Sequence, residues 1–380
     1  MARSGVNLST ADLMPEAETY QSDWAVHPGT YLRDVLEALD VPQSDLAART
    51  GLTPKHINQV VNGAVGLSAD VAVLLERALG IDSEIWTSLE VQYQHARSRQ
   101  HAKLELASYE EWVAKFPVAE LYSRHVIEHA DNGIARVDKL LRFFGVASPD
   151  AFEMVWMAPV AAFRRSQKQP IDPYATALWL KLAERAADAV KAPPFRIGAL
   201  RKAIKQITPL TVLPFRQAFA SARDILADAG VRLVFVEEVS GAKVCGATRW
   251  LSADRPFVVL TNRYKWEDVF WFTLLHELGH LLLHPRRATF VEMGNRADDD
   301  ADSTEAEADS FAADSLIPAE ANPRILAATT RDELQEIALE YSVGENIVAG
   351  RHGKLTNEWG LFGKVRPRVD AAEALAGLVD

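Results

Sequence analysis

The stretch that most limits what this chain can become is Trp266 to His284, WEDVFWFTLLHELGHLLLH. It contains His276-Glu277-Leu278-Gly279-His280, the pattern H-E-x-x-H. A helix turns about 100° per residue, so His276 and His280 stand about 40° apart and one turn apart. Two imidazoles so placed can grip one metal ion at Zn–N distances of roughly 2.0–2.1 Å. Glu277 falls at the edge of the same face, where a carboxylate can take a proton from a metal-activated water. Phe270, Trp271, Phe272, Leu274, Leu275, Leu278, Leu281, Leu282 and Leu283 make the helix apolar nearly all round, which calls for burial. Two core histidines that merely fall four apart are the competing reading. A buried His-Glu-His cluster needs partners for its polar groups, however, and a metal supplies them.

Catalytic zinc usually takes three protein ligands. His284 lies about 12 Å along the axis from His276, too far to share an ion with it. With Pro285 ending the helix, His284 reads as a cap or a neighbour of the site. The next acidic segment, STEAEADSFAADSLIP from Ser303 to Pro318, reads as a helix bearing Glu305, Glu307, Asp309 and Asp314. A Glu from such a following helix completes the gluzincin arrangement. The aspartates of 285–302 read as a solvated loop, able to act as a lid.

With 380 residues the chain has room for two or three domains. Its single cysteine, Cys245, excludes an internal disulfide and fits a cytoplasmic protein. The N-terminus lacks the apolar core of a signal peptide, and no apolar run approaches the ~20 residues of a membrane span. Net charge is −11, against indiscriminate nucleic-acid binding. Only residues 99–230 are basic, at +5, while 24–98 carry −4 and 231–380 carry −9.

The order of elements predicts a mostly α protein with a small β-sheet, in the α+β class. Residues 1–23 are polar and aperiodic, a flexible tail. Over 24–98 five short helices are expected, with Leu32, Val35, Leu36 and Leu39 on one face and Thr53-Pro54 opening the third. Two of them joined through Gly51 form a helix-turn-helix, whose second helix would offer Thr53, Lys55, His56, Asn58 and Gln59 to DNA. Residues 99–194 form a helical middle region. Its basic groups, with Arg196, Arg201, Lys202 and Lys205, read as a solvated face or a nucleic-acid surface. Strand-like runs follow at 231–236, 246–251 and 256–261, and an exposed edge there can take an extended peptide as one more strand. Helices return over 323–380.

Two resemblances can be read from quoted segments. His27-Pro28-Gly29, SDLAARTGLTPKHINQVVNG and LSADVAVLLERALGIDSEIW resemble Xre/HigA-like helix-turn-helix antitoxins over 24–98. GATRWLSADRPFVVLTN, FWFTLLHELGHLLLH and EAEADSFAADSLIP resemble the ImmA/IrrE zinc metallopeptidases over 195–322. The second resemblance implies Zn²⁺ on His276, His280 and Glu307, with Glu305 as the alternative ligand and Asp309 where the family usually has Asn. It implies Glu277 as the proton-transferring residue, and a repressor-like protein, a partner or this chain itself, as the substrate. The partners expected are therefore a DNA operator, that protein substrate, single-stranded DNA as an activating signal and a second copy in a homodimer, with no membrane. The alternative is a DNA-binding regulator or antitoxin whose metallopeptidase fold is a sensor or scaffold.

Overall fold

The computed structural model describes residues 26–157, 172–284 and 299–378. The tail 1–23 and most of the stretch read as a lid lie outside them. The chain divides into two compact units, 1–108 and 109–380.

The first unit is the expected set of five helices: α1 (Pro28–Ala38), α2 (Gln43–Thr50), α3 (Pro54–Val61), α4 (Ala69–Leu79) and α5 (Ser83–Ser108). Their starts follow from side-chain caps: His27, Thr53 and Ser68 each accept a backbone N–H of the first turn. Gly51 ends α2 at φ 72, in the left-handed region that glycine adopts without strain. Leu32, Leu46, Ile57, Val60, Leu75 and Trp86 close one core. Gly29 sits where α1 meets α3; a Cβ there would lie 2.1 Å from the Val60 carbonyl oxygen.

The last helix departs from expectation. The helix-turn-helix domain is expected to end at 98, with the helical middle region starting at 99, yet α5 continues unbroken to Ser108. No Gly or Pro interrupts 83–108, and HARSRQHAKLELA is largely built of good helix formers. Its polarity marks a solvated helix surface rather than a loose connection.

In the second unit, residues 110–157 are short helices around Trp112, Phe116, Phe144, Phe152 and Trp156, whose rings meet mostly edge to face. This middle region is tied to the sheet that follows. The Trp179 indole donates to the Val236 carbonyl at 3.2 Å, and Arg124 donates to the Glu237 carbonyl at 3.2 Å.

Three strands, β1 (Arg232–Phe235), β2 (Gly246–Trp250) and β3 (Pro256–Leu260), form a sheet of order β1-β3-β2. The central strand β3 is buried along its length, parallel to β1 and antiparallel to β2. Among the described residues β2 has no strand on its outer side.

The motif helix runs from Glu267 to Leu283 and packs against β2 and β3. Trp271, Leu274, Leu275 and Leu278 share one core with Leu233, Val258 and Leu260. Leu334, Ile337, Val348 and Leu375 join that same core, so residues 323–380 complete this domain rather than follow it. The C-terminal segment also clasps the start of the motif helix. Arg366 pairs with Asp268 at 2.8 Å, both side chains being buried, and its guanidinium lies between the rings of Trp266 and Trp359. No helix among the described residues is long and apolar enough to cross a membrane.

Candidate metal centre

On the motif helix, His276 and His280 point their Nε2 atoms at one place, 3.1 Å apart. Two lone pairs at that distance repel unless a proton or a metal ion lies between them. Glu305, from the helix Asp299–Leu316, brings Oε2 to 3.2 Å from His276 Nε2 and Oε1 to 3.6 Å from His280 Nε2. Ligands 2.0–2.1 Å from a tetrahedral centre stand roughly 3.3–3.4 Å from one another. The separations here, 3.1 to 3.6 Å with the two imidazoles facing different oxygens of Glu305, are close to that spacing. All three residues are half-buried, and no further His, Cys, Asp or Glu joins them among the described residues, which leaves a fourth position without a protein ligand. Nitrogen, nitrogen and carboxylate oxygen with one open position suit a zinc ion of the catalytic type.

Glu307, expected as the third ligand, is elsewhere. Its side chain is 63% exposed and lies 4.0 Å from His284 Nδ1 at closest. The reason is the phase of the helix. Ala308 and Ala312, both fully buried, face the motif helix, and Glu305 and Asp309 border them on that face. Glu307 is rotated about 200° from Glu305. The two helices approach closely because residue 279 is glycine: a Cβ there would sit 3.0 Å from the Phe311 ring and 3.4 Å from Ala308 Cα. The burial of Ala308 and Ala312, a matter of packing, is what selects Glu305.

Asp309, present where the resembling peptidases usually have Asn, accepts a hydrogen bond from His276 Nδ1 at 2.9 Å. That places the ring proton on Nδ1 and leaves the Nε2 lone pair for the cluster. His284 ends the helix as expected, with Nε2 donating to the Thr304 carbonyl at 3.1 Å.

Glu277 is buried beside β2, where the Thr248 hydroxyl lies 2.7 Å from Oε2. Burial raises its carboxyl to about 7, against the opposing pull of His276 and of the Thr248 hydrogen bond. Burial also acts to lower His276, but the carboxylates of Asp309 and Glu305 outweigh it and bring the imidazole to about 10. His280, driven down mainly by burial, falls to about 4. Thr248 is the residue that sequence reasoning missed; nothing in a short strand marks one threonine as the partner of a distant glutamate.

The proposed DNA-facing residues share the outer side of α3. Lys55 and Asn58 are exposed, His56 and Gln59 half-buried, while Ile57 and Val60 point into the core. Thr53 is exposed, and its hydroxyl is engaged as the cap, accepting from the His56 N–H at 3.2 Å. Asn58 Oδ1 accepts from Asn62 Nδ2 at 3.1 Å, and Asn58 Nδ2 donates to Gln43 Oε1 of α2 at 3.5 Å. Gln43 thus borders the same face, a neighbour not visible from α3 alone.

Comparison with known proteins places two domains on this chain. Residues 232–352 match the IrrE N-terminal-like domain of the M78 peptidases, and residues 32–86 match a helix-turn-helix domain. The chain is 31% identical over 77 residues to virulence-associated protein I of Dichelobacter nodosus, covering 20% of this chain and 71% of that protein. Among solved structures, a candidate antidote protein of a plasmid maintenance system from Nostoc punctiforme is 28% identical, covering 22% of this chain and 92% of that one at a TM-score of 0.22. An addiction-module antidote protein of a HigA family from Coxiella burnetii is 25% identical, covering 22% and 91% at a TM-score of 0.21.

Proposed function

We propose that this chain, which joins a helix-turn-helix domain to an IrrE-like M78 peptidase domain, is a zinc-dependent endopeptidase that cuts a repressor-like protein, either a partner or another copy of itself. The observation that carries the proposal is the convergence of His276, His280 and Glu305 beside the buried Glu277. Zinc bound by the three would supply Lewis acidity toward a water and a peptide carbonyl. Glu277 is placed to take the proton of the attacking water and return it to the leaving amine, the work of a general base turned general acid. Thr248 holds that carboxylate in position. The open side of β2 offers main-chain groups along which an extended substrate can lie as one more strand.

The DNA-facing side of α3 would bring the peptidase to an operator, with Lys55 on phosphate or guanine and Asn58 on adenine. Arg201, Lys202 and Lys205, exposed on one helix, offer a place for single-stranded DNA as the activating signal. Cleavage within 99–108 would first require α5 to unwind, so an extended segment of a repressor fits the cleft better than this helix does. The test is incubation of the zinc-loaded wild type and Glu277→Gln with candidate repressors and with the chain itself, with and without single-stranded DNA. Fragments are read by mass spectrometry. Fragments from the wild type alone are expected; equal fragmentation by both proteins would falsify the assignment. If neither cuts while DNA is still bound, the metal fold is a sensor or scaffold.

A further inference from the structure

Beside the metal cluster lies a cavity of about 380 Å³ that the chemistry above does not use. Its size is that of a ligand pocket (roughly 300–1,000 Å³). Val269 and Phe272 of the motif helix form one wall, Ala313 and Leu316 a second, and Ile347 and Trp359 a third. It borders the site on the Nδ1 side of His276. Asp309, which accepts from His276 Nδ1, lines it, and the Phe272 ring lies 6.3 Å from that of His276.

Its charges are unevenly matched. Asp268 is neutralised by Arg366 at 2.8 Å, and Asp309 is engaged by His276. Arg351 donates only to the neutral Asn322 amide, at 3.0 Å, and exposed Lys354 has no ion-pair partner among the described residues. The inner part is therefore apolar and the wall formed by Arg351 and Lys354 is cationic.

We propose that this cavity is the side-chain subsite that selects the cleavage position: it takes a bulky apolar residue next to the scissile bond, with an acidic residue close by in the sequence held by Lys354 and Arg351. The proposal rests on the peptidase reading and names its substrate class. An apolar side chain gains by leaving water for this pocket, whereas a basic neighbour would meet two uncompensated cations.

The experiment uses the full-length zinc-loaded chain and a set of extended peptides that vary one apolar position and its neighbours. Cleavage is read by mass spectrometry. Binding is read separately, by fluorescence polarisation on Glu277→Gln. Peptides pairing Leu, Met or Phe with a nearby Asp or Glu are expected to be cut and bound at least about tenfold better than those with Ala or with Lys nearby. Lys354→Glu should reverse the charge preference, and Ala313→Trp, which fills the cavity, should remove the preference for bulky residues. Zinc content should stay unchanged in both variants. Selective binding without cleavage supports the subsite while sinking the peptidase reading. Cleavage or binding indifferent to these positions, profiles untouched by the two substitutions, or no binding at all would overturn the subsite.

Discussion

Thr248 and Arg366 show how single side chains set this domain's chemistry and its stability. Thr248 donates to Glu277 Oε2 at 2.7 Å, and so orients the carboxylate proposed to move the proton. Thr248→Val keeps the volume and removes the hydroxyl, so zinc content should hold while kcat falls about tenfold, with KM little changed. A fall in bound zinc instead would mean that the threonine acts on the metal site. Arg366 is buried with Asp268, and removing one member of such a pair leaves the other charge stranded. Arg366→Ala should cost about 3–5 kcal/mol in denaturant unfolding. A loss below about 1 kcal/mol would place the pair among ion pairs of little weight. At this scale His276, His280 and Glu277 were legible, because spacing on one helix is a local property. Glu305 and Asp309 were not separable from Glu307 by spacing alone, since the packing face that chooses among them belongs to another element.

The elements themselves were easier to read. An apolar run bounded by Pro285 announced the motif helix, and hairpin spacing announced β2 and β3. The reach of α5 was not legible, because helix is expected on both sides of residue 98 and no Gly or Pro marks where one helix ends and the next begins. Helix-to-helix distance was legible only in part: the glycine of H-E-x-x-H reads as an indifferent position until Phe311 and Ala308 are found against it. Gly279→Val should push the acidic helix away, costing about 1–3 kcal/mol of stability. Bound zinc should fall even though every ligand remains. Zinc retained at wild-type affinity would show that the site tolerates a wider helix spacing. On α3, Asn58→Ala should weaken binding to a selected operator by ~1–3 kcal/mol and leave binding to random DNA nearly unchanged, as read by salt-dependent titration. Equal weakening on both would assign Asn58 to backbone contact.

Considered whole, the chain is two units rather than the string of domains that composition suggests. The middle region carries its own aromatic cluster, yet Trp179 and Arg124 bind it to the end of β1 and the loop beyond. The C-terminal helices supply one side of the core that buries the motif helix. Both links pair residues far apart in sequence, so no local pattern reveals them. What the whole molecule then holds in register is a three-residue cluster contributed by two helices. The central claim is that His276, His280 and Glu305 bind one zinc ion. Elemental analysis of the purified, dialysed wild type, Glu305→Ala and Glu307→Ala tests it most directly. The account predicts close to one equivalent in the wild type and in Glu307→Ala, and loss of the metal in Glu305→Ala; zinc kept by Glu305→Ala and lost by Glu307→Ala would contradict it.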